Sequence, residues 1–179
     1  GHKLPVEKRK ILFVGEEISF ASRYRVEHFR EQLILRGYAS RFIQMDQAEK
    51  ESLEEYEVVV FYRCSKLMEV EMLANRARAA GIRVYYDIDD LVFDYEKIAD
   101  LQFLKGREYS DFRTTTERIH GCMEFCDGYI TSTETLAGVI REEFPGKPVV
   151  INRNCMSMEM EILSHEASEQ TDKNEEKIY

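Results

Sequence analysis

The chain has 179 residues, of which 44% are hydrophobic and 33% are charged, a composition typical of one folded globular domain rather than of a disordered chain. Its net charge of -9 argues against a nucleic-acid-binding surface. No apolar run approaches the roughly 20 residues that span a bilayer, and the polar opening GHKLPVEKRK predicts no signal peptide.

The first half of the chain alternates short apolar runs with helical patterns. Residues 10–15 (KILFVG) predict a strand, and a helix follows at 22–37, with Ser22 as a candidate N-cap and Gly37 as its end. The next predicted elements are a strand at 38–45, a short acidic helix or loop at 46–56, a strand at 57–63, a helix at 66–81 and a strand at 82–88. The strand at 57–63 is continuously apolar, which indicates a central place in a sheet.

The second half continues this alternation after an irregular stretch at 89–106. It predicts a long helix at 107–127, a strand at 128–132, a helix at 133–144 capped by Thr133, a strand at 147–153 and a last helix at 157–170. Strand–helix alternation with apolar strands predicts an α/β fold, with a doubly wound, mostly parallel six-stranded sheet of Rossmann-like order.

The four cysteines do not suggest a metal site. Cys122 and Cys126 lie four residues apart and would share one helix face, but no further ligands follow at zinc-site spacing. We expect reduced cysteines in the core of a cytoplasmic protein and no bound metal.

Polar side chains follow several of the predicted strands. Ligands of doubly wound sheets bind beyond the carboxyl ends of the strands. The residues that follow the strands should therefore converge there, and they comprise Gly15–Arg25, Arg63, Asp87–Asp90, Ser132–Glu134 and Asn152–Asn154.

The first loop, GEEISFASRYR, carries neither the dinucleotide fingerprint G-x-G-x-x-G nor a Walker motif, so NAD or ATP is not expected there. Arg23 and Arg25 at the start of the helix would hold an anion such as a phosphate, or else lie in solvent. Arg63 ends the most apolar strand, and we expect it to form an ion pair with Asp87 or Asp90.

The stretch VYYDIDDLVF carries three aspartates, Asp87, Asp89 and Asp90, and admits several interpretations. Asp87-Ile88-Asp89 fits a phosphatase of the haloacid-dehalogenase type, although Leu91 stands where that motif has threonine. A metal site for a nucleotide sugar would suit three carboxylates, but it belongs to enzymes with a mixed sheet. A receiver-like phospho-acceptor domain would need an acidic pair after the first strand, which Glu16 and Glu17 imitate weakly.

Five segments in order resemble the N-terminal half of a GT-B glycosyltransferase of the group-1 kind found in bacterial polysaccharide and rhamnan assembly. They are ASRYRVEHFREQLILRGY, VVVFYRC, VYYDIDDLVFD, CDGYITSTETLAGVI and KPVVINRN. The resemblance runs from about residue 10 to about residue 168. The chain departs from the family in lacking its glycine-rich first loop, and it has DIDD where a histidine is common.

The resemblance implies a domain that faces the acceptor, a glycan or a lipid-linked molecule. Residues 1–9 would be a tag remnant and leader, 10–170 the domain, and 171–179 a linker toward a missing C-terminal domain that binds the nucleotide-sugar donor. This domain itself would hold no cofactor, and the chain alone would be inactive. The parent enzyme would work in the cytoplasm, with peripheral contact to the inner face of the membrane if its acceptor is lipid-linked.

The same resemblance assigns roles at the sheet edge. In an inverting enzyme Asp89 or Asp90, just past the strand edge, would be the catalytic base, whereas Asp87 would pair with Arg63 or cap backbone amides. A retaining enzyme would have less need of a dedicated base, and the aspartates would then be structural. Contacts with the acceptor are expected from Gly15, Arg23, Tyr24, Arg25, Arg63, Asp87, Ser132, Glu134 and Asn154.

A non-enzymatic α/β module that binds an anion or a partner through its helices is the alternative from a different class. The acidic stretch EKESLEEYE and the pattern MSMEMEIL would then serve an interface. For Met156, Met158 and Met160 we expect packing in the core or beneath a neighbouring domain.

Overall fold

The computed structural model describes residues 10–16, 22–99 and 109–170. The predicted leader (1–9) and linker (171–179) lie outside the described residues, as do residues 17–21 of the first loop.

Six strands form one sheet in the order β2-β1-β3-β4-β5-β6, and all five pairings are parallel. The strands are β1 (Lys10–Gly15), β2 (Ala39–Gln44), β3 (Val58–Tyr62), β4 (Arg83–Ile88), β5 (Gly128–Thr131) and β6 (Val149–Ile151). The predicted α/β class and doubly wound, Rossmann-like architecture are confirmed. The strand order reverses between β1 and β3, and this reversal is the switch point at which such sheets open a crevice.

The connections between the strands are helical. A π-helical turn, Arg23–Glu27, leads into α1 (His28–Leu35), and a 3₁₀ helix, Met45–Lys50, occupies the start of the predicted acidic segment. The remaining helices are α2 (Met68–Ala79), α3 (Tyr95–Ile98), α4 (Tyr109–Glu124), α5 (Glu134–Glu143) and α6 (Met158–Gln170). The four-residue α3 lies within the stretch predicted to be irregular.

Helix ends follow the capping signals in most places. Gly37 and Gly81 adopt positive φ angles of 80° and 73° just after helices, as expected for glycines that end them. Thr133 caps α5 by accepting a hydrogen bond from the Leu136 amide at 3.2 Å. The cap predicted at Ser22 was wrong, because its backbone is already helical and its side chain makes no cap.

The core lies on both faces of the sheet. One face packs against α2, α4 and α5 through a large cluster that includes Leu12, Phe61, Tyr86 and Tyr129. The other face is smaller, and the π-helical turn and α1 cover it through residues such as Val26 and Leu33. Phe13, Val60 and Tyr62 contribute the strand side of that smaller cluster.

The last helix contributes little to this core. Met156 and Met158 are 55% and 51% exposed. Of the two places expected for them, the core was therefore wrong. Cys64, Cys122 and Cys126 are buried as predicted, whereas Cys155 is exposed. Within the described ranges, no helix is both long and apolar enough to cross a bilayer, and no group of three or more histidine, cysteine or acidic side chains is arranged to hold a metal ion.

Candidate functional site at the carboxyl edge of the sheet

The candidate site lies where β1, β3 and β4 end beside the switch point. Gly15 ends β1 in a tight space: a Cβ there would come within 3.0 Å of the Phe42 ring and 3.5 Å of the Tyr62 carbonyl oxygen. A glycine at this position therefore allows the ends of β1 and β3 to approach closely.

Arg25 is a deeply buried charge at this edge, with 1% of its surface exposed. It lies in the π-helical turn, a rare feature that is frequent at functional sites. Its guanidinium forms a two-pronged ion pair with Asp87, with Nε to Oδ1 at 2.9 Å and Nη2 to Oδ2 at 3.0 Å. This geometry is the strong form of an arginine–carboxylate interaction.

The remaining donor of Arg25 fixes the segment that follows β6. Nη1 donates to the Asn154 side-chain oxygen at 3.0 Å and to the Asn152 carbonyl oxygen. One buried guanidinium therefore joins the π-helical turn, the end of β4 and the loop after β6. We call Arg25, Asp87, Asn152 and Asn154 the buried network.

Asp87 lies in the interior of the protein with its charge paired to Arg25. Only 1% of the Asp87 surface is exposed. Burial raises the pKa of its carboxyl to about 6, although the positive charge and hydrogen bonds of Arg25 act in the opposite direction. We assign Asp87 a structural role in the buried network. The predicted pair between Asp87 and Arg63 was wrong, because Arg25 occupies both carboxylate oxygens.

Arg63 forms a second charged group at the rim. Its Nε and Nη2 donate to one oxygen of Asp89 at 2.9 and 2.7 Å, and Nη2 also donates to Asp90. The predicted pair with Asp90 is confirmed, and the pair with Asp89 was not foreseen. We call Arg63, Asp89 and Asp90 the rim cluster.

The backbone of Arg63 is strained. Its φ of 48° makes it the one residue other than glycine with positive φ in the described ranges. Its amide still donates to the Asp87 carbonyl oxygen at 3.2 Å. Such outliers cost on the order of 1–3 kcal/mol and are concentrated at functional sites. Here the left-handed turn accompanies an Arg63 side chain that reaches the acids after β4.

The two rim carboxylates differ in exposure. The side chain of Asp90 is 59% exposed, whereas that of Asp89 is 13% exposed. Asp89 accepts two hydrogen bonds from Arg63 and Asp90 accepts one, so Asp90 is the freer of the two to meet a ligand.

Most of the other predicted contact residues lie outside these two groups. Arg23 is exposed at the start of the π-helical turn, and the Tyr24 ring meets the His28 ring edge-on at 5.0 Å. Ser132 is buried and Glu134 is exposed at the start of α5. Asn154 belongs to the buried network, where its oxygen faces Arg25 rather than solvent.

Sequence reasoning missed the attachment of the segment after β6 to α1. The ring nitrogen Nδ1 of His28 lies 2.8 Å from the Cys155 carbonyl oxygen, and Glu31 accepts a hydrogen bond from the Met158 amide. Gln32 donates to the Cys155 sulfur. The spacing of His28 and Gln32 (i, i+4) was the available signal, because such residues share one face of an α-helix.

Comparisons with known proteins add little to this geometry. No protein-family model matches the chain, and no curated protein sequence matches it. Among solved structures, the O-acetylhomoserine sulfhydrylase of Wolinella succinogenes, from the methionine biosynthetic pathway, is similar over 46% of this chain and 24% of its own length. The identity is 15% and the TM-score is 0.31, a likeness too weak to bear on fold or function.

Proposed function

We propose that the chain is the acceptor-side domain of a GT-B glycosyltransferase that moves a sugar from a nucleotide-sugar donor to a glycan or lipid-linked acceptor. The observation that carries the proposal is the separation of the three DIDD carboxylates at the switch point. Asp87 is locked in the buried network, while Asp89 and Asp90 stand in the rim cluster. The resemblance of five segments in order supplies the reaction class.

In the proposed reaction an acceptor hydroxyl attacks the anomeric carbon of the donor sugar, and a general base takes the hydroxyl proton. A base must come within hydrogen-bond reach of that hydroxyl. Asp90 fits this role best because it is exposed, whereas Asp89 and Arg63 fix its position.

The rest of the enzyme is part of the same proposal. The donor would bind to a further domain joined through the segment after β6. The parent enzyme would act in the cytoplasm, at the inner membrane face if its acceptor is lipid-linked.

The test is a sugar-transfer assay on the complete polypeptide encoded by the gene. Asp90→Asn should reduce the rate at least about a hundredfold, the usual contribution of a general base, and Asp89→Asn should reduce it less. Asp111→Asn is the matched control, because that aspartate is exposed on α4. Rates near that of the unmodified enzyme in both rim variants would overturn the catalytic assignment.

The phosphatase interpretation of Asp87-Ile88-Asp89 has weaker support. Its nucleophile would be Asp87, whose two oxygens are both engaged by Arg25 in a position with 1% exposure. A nucleophile needs a free oxygen in line with the phosphorus atom, and this carboxylate offers none.

A further inference from the structure

Tyr62, the last residue of β3, has a buried hydroxyl group without a hydrogen-bond partner in the described part of the chain. The residue is 5% exposed, and its hydroxyl has no hydrogen-bond partner among the described residues. The other buried tyrosines, Tyr56, Tyr86 and Tyr129, donate to oxygens of Glu51, Cys64 and Met123 at 2.8, 2.7 and 3.0 Å. Tyr62 is therefore the exception among the buried tyrosines of the described residues, although the hydroxyls of Thr116 and Thr131 are also buried without a partner there.

The charges around Tyr62 are paired with one another rather than with its hydroxyl. Arg25 binds Asp87 and Arg63 binds Asp89, and after burial these four charges act on the pKa of the tyrosine. Burial, with Asp89 and Asp87 acting in the same direction, raises the pKa of Tyr62 above its usual range. The hydroxyl thus stays protonated and is available as a donor.

Phenylalanine would fill the same space without this cost. An unsatisfied buried hydroxyl is destabilising, and removing it by an isosteric change is close to neutral or favourable. The position lies beside the switch point, under Arg63, whose guanidinium carbon is 5.6 Å from the centre of the Tyr62 ring. The unpartnered, destabilising hydroxyl of Tyr62 therefore lies at the candidate site.

We infer that Tyr62 is a ligand-binding residue that donates a hydrogen bond to a hydroxyl oxygen of an uncharged sugar in the acceptor. This inference rests on the proposed function and adds a contact residue and a ligand class to it. The guanidiniums of Arg25 and Arg63 are already neutralised by three carboxylates, Asp87, Asp89 and Asp90. The strand ends therefore favour an uncharged polyhydroxyl group over a phosphate. Because the guanidinium of Arg63 lies over the Tyr62 ring, the proposal requires that side chain to move aside when the sugar binds.

The first arm of the test measures thermal unfolding of Tyr62→Phe, with Tyr86→Phe and Tyr129→Phe as matched controls. Each control loses a hydrogen bond to a backbone oxygen and should melt at a lower temperature. Tyr62→Phe should melt at the same temperature as the unmodified chain or higher. A loss as large as in the controls would show that the hydroxyl already has a partner, such as an internal water, and would overturn the inference.

The second arm measures binding to the 179-residue chain with ring-labelled tyrosine and NMR. The Tyr62 signal is identified by its absence from the Tyr62→Phe spectrum. Methyl hexopyranosides should shift this signal and inorganic pyrophosphate should not, and Tyr62→Phe should bind the effective glycoside roughly tenfold more weakly.

The outcomes separate the two proposals. If no glycoside shifts the Tyr62 signal, or if pyrophosphate shifts it instead, the inference is overturned. If a glycoside binds through Tyr62 but the complete polypeptide transfers no sugar from any nucleotide-sugar donor, the sugar-binding role stands and the glycosyltransferase proposal fails.

Discussion

Replacing Arg25 by methionine tests the buried network most directly. The change keeps an unbranched side chain but leaves the buried Asp87 carboxylate without its positive partner. It also leaves the oxygens of Asn152 and Asn154 without their donor. Breaking a buried ion pair from one side costs about 3–5 kcal/mol. For a domain of this size that loss corresponds to a fall of roughly 6–20 °C in the melting temperature.

The penalty should depend on pH with a definite sign. The folded pKa of Asp87 is raised from 3.8 to about 6 in the unmodified protein, so the folded state holds a proton that the unfolded state has released between those values. The stability linked to that proton is full below pH 3.8 and is lost as the pH rises through the folded pKa. Without Arg25 the folded pKa rises further, so the deficit of Arg25→Met should grow as the pH rises from about 5 to about 8.

Urea denaturation followed by circular dichroism measures this effect, since the chain has no tryptophan for fluorescence. Arg113→Met is the matched control, because its ion pair with Glu117 is exposed and its loss should leave the melting temperature unchanged. The double variant Arg25→Met/Asp87→Leu should recover part of the loss by removing the stranded charge. A deficit below about 1 kcal/mol at neutral pH, or one that shrinks as the pH rises, would refute the reasoning.

Two glycine positions and one cysteine give further predictions. Gly128→Ala should destabilise the protein by about 1–3 kcal/mol, because the new Cβ would lie 2.7 Å from the Tyr85 ring and 3.0 Å from the Pro148 carbonyl oxygen; an unchanged urea midpoint would contradict this. Gly138→Ala, within α5 and with no atom inside 4 Å of the new Cβ, should instead stabilise it by about 0.5–1 kcal/mol, measured in the same titration. A thiol reagent should modify Cys155 alone in the folded chain, since the other three cysteines are buried; mass spectrometry after labelling would expose a second reactive thiol if burial does not protect them.

The sequence predicts the sheet well because strands and helix ends depend on short stretches of neighbouring residues. Strands buried on both faces require continuous apolar runs, and Gly37 and Gly81 end helices through backbone angles that other residues rarely adopt. The convergence of residues after the strands follows from parallel pairing alone. The strand at 57–63 therefore indicated both its own structure and the position of Arg63.

The pairing of charges at the edge could not be predicted in the same way. Arg63 was expected to meet Asp87 or Asp90, and it meets Asp89 and Asp90. Two backbone features decide this: the left-handed turn at Arg63 and the π-helical turn that carries Arg25 to Asp87. A π-helical turn changes the phase of a helix, so a pattern read at 3.6 residues per turn does not reveal which arginine points inward.

These two features also explain how the carboxylates of Asp87, Asp89 and Asp90 can lie within the four residues 87–90. Like charges this close repel one another, and the charge of Asp89 acts to raise the pKa of Asp87. Arg25 neutralises Asp87 from the helical side, and Arg63 neutralises Asp89 from the neighbouring strand, so that Asp90 is left as the most exposed of the three acids. Since each arginine comes from a different element, the arrangement depends on the whole edge and not on the DIDD motif alone. A catalytic role for Asp90 would therefore require Arg25 and Arg63 as positioning residues, although neither would touch the reacting atoms.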